Sequence, residues 1–227
     1  MIMCMSDVLV ITNRKLCKED FLGRIEALAA AGPRGIILRE KDLPETEYLE
    51  LARQTAEICD RYQTPCVLHS FPGIALELGV KRLHLPLPLL RKLSPDERAY
   101  FTVLGASCHS AEDAREAEAL GCTYITAGHV FDTDCKKGLP PRGLSFLKEV
   151  CETVSILEFL KQMCESVRIP VYAIGGIDPE NYKEVMAIGT AGVCVMSGAM
   201  VCEAPGRYLS AFSEKKEQTA NTQKGIR

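Results

Sequence analysis

Val171-Tyr172-Ala173-Ile174-Gly175-Gly176-Ile177-Asp178-Pro179 opens a complete structural unit of this chain. Four apolar residues are too few for a helix and fit a strand covered on both faces. Two glycines break the run. Asp178-Pro179 then signals a helix start, with proline at the first helical turn. That helix is expected to stop at Gly189, ahead of another short apolar run at 192–196 that leads into Ser197-Gly198-Ala199. The same grammar repeats towards the N-terminus. Runs at 8–12, 35–38, 66–69, 82–85, 102–108 and 124–128 bring the strand candidates to eight.

Amphipathic stretches separate most of these runs. Residues 20–31 carry Ile25, Leu28 and Ala29 at helical spacing and end at Gly32-Pro33. Residues 45–62 place Leu49, Ala52, Ala56 and Cys59 on one face. Ser110 with Asp113 resembles a capping box and opens a helix over 111–120. The stretch 144–167 reads as one long helix or as two, with Thr153-Val154-Ser155 as the break. In the fourth unit Pro86 and Pro88 are read as forbidding an early helix, so only 94–98 is predicted helical. Alternating strands and helices imply a parallel sheet with right-handed crossovers. Eight such units predict a single α/β domain, a (β/α)8 barrel of the TIM type spanning 1–212. Residues 213–227 are almost devoid of apolar side chains and are expected to form a disordered tail.

Composition narrows the function. The 227 residues are 47% hydrophobic and 25% charged, an ordinary globular mixture. A net charge of −3 offers no basic excess for a nucleic-acid backbone. No apolar run approaches the ~18 residues of a membrane helix. The N-terminus lacks the pattern of a signal peptide, so a cytoplasmic location is expected. The 11 cysteines contain no Cys-x-x-Cys and no zinc spacing, which favours free or buried thiols. Cys108 and His109 are strand neighbours, so they are expected on opposite faces rather than as a catalytic dyad.

Barrels of this kind work at the C-terminal ends of their strands. Arg39 and Lys41 follow the second strand and can both reach the mouth, where two cations suit an anionic group. Gly175-Gly176 and Ser197-Gly198 follow strands seven and eight, positions where backbone N–H groups bind phosphate. The loop after strand six is long and polar, and His129 is its first large side chain, placed for proton transfer. His69 ends the third strand and could line the site, whereas His84 lies within a strand and His109 is read as opening a helix.

Four motifs carry a resemblance. They are Leu38-Arg39-Glu40-Lys41, the run from Gly105 to Ser110, the run from Gly128 to Gly138, and Ala173-Ile174-Gly175-Gly176-Ile177. Together the chain resembles the thiamine phosphate synthase/TenI superfamily over nearly its whole length. In the synthase branch a pyrimidine diphosphate is joined to a thiazole phosphate with Mg²⁺, held by acidic residues after strands three and four. Here those strands run into His69-Ser70-Phe71 and Pro86-Leu87-Pro88. The loop beginning Gly128-His129 is similar to the TenI branch, the thiazole tautomerases. The resemblance therefore implies an isomerase that aromatises a carboxylated thiazole phosphate, with His129 as catalytic residue. It implies substrate contacts from Arg39, Lys41, Ser107, Thr133, Lys136, Gly175, Gly176, Ser197 and Gly198, no metal or other cofactor, and a homo-oligomer. The synthase reaction is the alternative, and a non-catalytic thiazole or thiamine phosphate-binding regulator is the second.

Overall fold

The computed structural model describes residues 7–161 and 169–213. The expected tail, from residue 214 onward, lies outside them. Eight parallel strands close into a barrel in sequence order: β1 (Val8–Ile11), β2 (Gly35–Leu38), β3 (Cys66–His69), β4 (Arg82–Pro86), β5 (Val103–Cys108), β6 (Tyr124–Gly128), β7 (Val171–Ile174) and β8 (Gly192–Val195). Strand β8 pairs with β1 through Val8–Val193 and Val10–Val195, so no strand edge is left open.

Helices join the strands. They are α1 (Phe21–Ala30), α2 (Glu45–Arg61), α3 (Pro72–Glu77), α4 (Leu87–Leu90), α5 (Pro95–Tyr100), α6 (Ala111–Ala119), α7 (Gly143–Lys161), α8 (Tyr182–Ala187), α9 (Ser197–Val201) and α10 (Pro205–Ser210). Asp20 caps α1 by accepting from the Gly23 N–H at 2.7 Å. Ser110 accepts from the Asp113 N–H at 3.1 Å, while the Asp113 carboxylate turns back to the His109 N–H at 2.7 Å.

Two local expectations need correction, those for Pro86-Pro88 and for Asp178-Pro179. A one-turn helix, α4, does follow β4 at once, because prolines in a first turn give up no helical hydrogen bond. Helix α3 starts on Pro72 for the same reason. Helix α7 runs unbroken through 153–155, and the predicted end at 167 lies outside the described residues. Asp178-Pro179 forms a turn rather than a helix start, with Asp178 Oδ1 accepting from the N–H groups of Glu180 and Asn181, and α8 begins at Tyr182.

Strand alternation sorts the core into two layers. Leu38, Leu68, Leu83, Leu104 and Ala173 point outward and pack against the helices. Leu9, Ile11, Ile37, Val67, Tyr124, Tyr172 and Cys194 point inward and plug the barrel. Residues two positions further along the inward rows reach the mouth. Among the described residues no helix is long and apolar enough to cross a membrane.

Candidate active site

The inward rows explain which side chains meet at the mouth. Arg39 continues the row of Ile37 beyond β2, His69 the row of Val67 on β3, and Ser107 the row of Val103 and Gly105 on β5. Arg39 is half-buried and Lys41 exposed, and neither forms an ion pair among the described residues. The cations beside them are spent: Arg14 and Lys15 bind Asp42 at 2.7 and 2.8 Å.

Glu40 is not a mouth residue. It is buried, accepts from Thr12 Oγ1 at 2.6 Å and from the Arg14 N–H at 3.0 Å, and pairs with the Arg14 guanidinium. Thr12 Oγ1 in turn accepts from the Arg39 N–H at 2.9 Å. The carboxylate therefore fixes the backbone from which Arg39 projects.

Below Arg39 lies a buried polar row that sequence reading missed. His69, His84, Gly105 and Tyr124 stand in register on β3 to β6. The two imidazoles stack at 5.5 Å. His84 Nδ1 meets the Tyr124 hydroxyl at 2.9 Å and its Nε2 meets Ser107 Oγ at 2.9 Å. Burial pushes the pKa of His84 down to about 3, and the charge of Arg39 adds to the shift. Burial also drives His69 well below its ordinary value, helped by His84, Arg39 and Lys41. Both rings are thus neutral near pH 7. Strand alternation turns His69, His84, Ser107 and Tyr124 inward, but only the register of β3 to β6 brings them together.

On the other side of the mouth three loops meet. The Phe131 N–H donates to the Gly175 carbonyl at 3.0 Å, tying the loop after β6 to the loop after β7. Cys135 Sγ lies 3.9 Å from Ser197 Oγ, linking it to the loop after β8. Thr133 precedes the short helical turn Asp134–Lys136 in this loop, and Lys136 ends it. Lys136 is exposed and enters no ion pair among the described residues.

The glycines here have packing reasons of their own. Gly176 has φ +64°, and a Cβ on it would meet Phe131 Cβ at 2.7 Å. A Cβ on Gly198 would meet the Tyr208 ring. Replacing Gly176 by alanine is therefore expected to push the loop carrying Thr133 and Lys136 away from the mouth. The expected cost is about 1–3 kcal/mol of stability, with weaker binding of inorganic diphosphate. Denaturant unfolding and calorimetric titration of the purified variant check both.

His129, which packs against Gly175, and His109 face a further cleft. With Lys136 and residues 139–142 they line a cleft of about 310 Å³. His129 is buried and its Nε2 donates to the Leu139 carbonyl at 3.3 Å, so the ring holds the loop's far end. His109 does not open a helix. It ends the inward row of β5, and its Nδ1 donates to the Gly128 carbonyl at 2.7 Å. Cys108 beside it faces the helices, fully buried, with its thiol pushed above the ordinary range by burial.

A closed barrel of eight parallel strands joined by helices, with unpaired cations on one side of its mouth among the described residues and three glycine-bearing loops on the other, is a barrel of the TIM type. The chain belongs to the thiamine monophosphate synthase family, whose sequence pattern matches residues 8–199. It is 33% identical over 212 residues to thiamine-phosphate synthase 2 of Streptococcus pneumoniae, covering 91% of this chain and 93% of the relative. It is 31% identical to thiamine-phosphate synthase of Clostridium novyi, covering 84% and 89%. The structure of thiamine phosphate pyrophosphorylase from Pyrococcus furiosus superimposes with a TM-score of 0.72 at 28% identity, covering 90% of this chain and 92% of that one.

These relatives overturn the tautomerase expectation. Homologues matching most of the chain at 30–33% identity are named synthases, not isomerases. The motifs used to separate the branches lie in the loops at the barrel mouth. With the isomerase reading goes its reason for casting His129 as a proton shuttle.

Proposed function

We propose that the chain is a transferase of thiamine biosynthesis that joins a hydroxymethylpyrimidine diphosphate to a thiazole phosphate and releases diphosphate. The observation that carries this reading is the end-to-end match to relatives named thiamine-phosphate synthase. The geometry supports it. Two phosphorylated reactants need two anion sites, and the mouth offers two groups of donors. Arg39, Lys41 and Ser107 form one. Thr133, Lys136, Ser197 and the Gly175-Gly176 turn form the other. Positive charge near the departing diphosphate stabilises the charge that develops as its bond breaks.

The synthase branch implies Mg²⁺, and the strand ends do not fit it. Magnesium takes hard oxygen ligands, chiefly carboxylates. After β3 come Ser70 and Phe71, and after β4 come Leu87 and Pro88. His69 and His84 are nitrogen donors held in the buried row. Glu40 is committed to Thr12 and Arg14. Among the described residues no three His, Cys, Asp or Glu side chains cluster as a metal site. No step is therefore assigned to the ion. Inorganic diphosphate is expected to bind this protein with an affinity that Mg²⁺ changes less than about threefold. Titration calorimetry with and without the ion checks this, and tightening of tenfold or more would show that the protein supplies ligands after all.

The missing carboxylates favour one second reading, a protein that binds these phosphates without turnover. Phosphorus NMR of the protein with both reactants, with Mg²⁺ present and absent, separates the two. The transferase forms a thiamine phosphate signal together with free diphosphate. If neither appears while both reactants bind, the protein is a binder.

A further inference from the structure

We propose that Tyr124 and His84 lock the Ser107 hydroxyl as a hydrogen-bond donor pointing into the barrel mouth, which makes Ser107 selective for an oxyanion. That this oxyanion belongs to a phosphorylated reactant rests on the transferase reading. The locking itself rests on the buried row.

The row is anchored at its deepest end. Tyr124 fills the barrel interior, and its hydroxyl has His84 Nδ1 as its hydrogen-bond partner among the described residues. Burial drives the phenol pKa well above its ordinary value, so the hydroxyl keeps its proton. A buried O–H with no acceptor is costly. If His84 carried its proton on Nδ1, that N–H would face the phenol oxygen and the Tyr124 proton would have nowhere to go. If Nδ1 is bare, Tyr124 donates to it and is satisfied. The ring is neutral, so its one proton must then sit on Nε2.

Nε2 faces Ser107 Oγ at 2.9 Å. The N–H donates, and the serine oxygen accepts. Ser107 stands two residues beyond Gly105 on the same inward row, so this bond reaches it from beneath. Its own proton is left to point outward. A hydroxyl held in this way welcomes a phosphate oxygen and meets an N–H donor poorly. His84 and Tyr124 are positioning residues, for they act only through Ser107. Gly105 makes the arrangement possible, since a Cβ there would overlap the Tyr124 ring.

The test has a part that needs no ligand. Nitrogen NMR of the histidine-labelled protein near pH 7 is expected to show His84 with Nε2 protonated and Nδ1 bare. The opposite tautomer would overturn the proposal. In Tyr124→Phe, which keeps the ring, the preference should relax. The second part uses inorganic diphosphate as probe. Ser107→Ala is expected to weaken its binding about 10- to 100-fold, the worth of a hydrogen bond to a charged group. Tyr124→Phe should weaken it about 2- to 10-fold. The double variant should bind no more weakly than Ser107→Ala alone. Additive losses would mean that Tyr124 acts by another route and would also overturn the proposal. A protein that passes these tests yet forms no thiamine phosphate would fail the transferase reading and leave the locking intact.

Discussion

Lowering the pH from 6.5 to 5 is expected to cost the barrel about 2 kcal/mol through His84 alone. The folded protein holds this ring neutral, with a pKa pushed from 6.5 to about 3 by burial. The unfolded chain takes up a proton near 6.5, so acid favours unfolding. The contribution is fully present above 6.5 and is lost progressively as the pH falls towards 3. His69 shifts in the same direction for the same first reason, burial, and adds to the loss. Glu97, Glu112 and Glu116 have lowered pKa values, so their contributions fade only below about 4.5. Urea unfolding at half-unit steps from pH 7 to 5 checks the slope. His84→Gln, which cannot titrate, should flatten it. A stability that stays level to pH 5 would mean the barrel interior admits the charged ring.

Glu40→Ala is expected to be the second large loss, about 2–4 kcal/mol. Removing one partner of a buried charge pair usually costs about 3–5 kcal/mol. Arg14 keeps Asp42 and is 28% exposed, which reduces the figure. The substitution also leaves the buried Thr12 hydroxyl and the Arg14 N–H without their acceptor. Because Thr12 holds the Arg39 N–H, diphosphate affinity should fall with stability. Glu40→Gln should lie between, since an amide keeps one acceptor but presents an N–H to Arg14. The shift of the urea midpoint and a calorimetric titration measure the two effects. An alanine variant as stable as the parent would show that Glu40 does not anchor the backbone at Thr12 and Arg39.

The barrel was legible because strands buried on both faces must be short continuous apolar runs. Glycines at 175, 176 and 189 punctuate them where left-handed backbone is needed. Pro86 and Pro88 misled the reading, since a proline breaks a helix only beyond its first turn. The cationic side of the mouth was visible in Arg39 and Lys41 because strand alternation carries past the strand end. The same alternation would have placed His84 inward, but one histidine within a strand carries no signal until its neighbours across the sheet are known. Tyr124 and Ser107 lie 40 and 23 residues from it in the chain. The branch of the family was not legible, because the residues that separate the branches are few and lie in loops, whose sequence is not constrained by the packing that makes the barrel readable.

The fit of the Tyr124 ring over Gly105 couples positions that are far apart in the chain. A side chain at 105 has room only if the ring at 124 shrinks, since a Cβ there would overlap it. Shrinking that ring removes the hydroxyl that meets His84. A side chain gained at 105 therefore takes the Tyr124 hydroxyl, and with it the partner of His84 Nδ1, whereas a change at 84 or 124 leaves Gly105 in place. Among descendants of this chain, a side chain at 105 would mark those that have given up the tyrosine at 124.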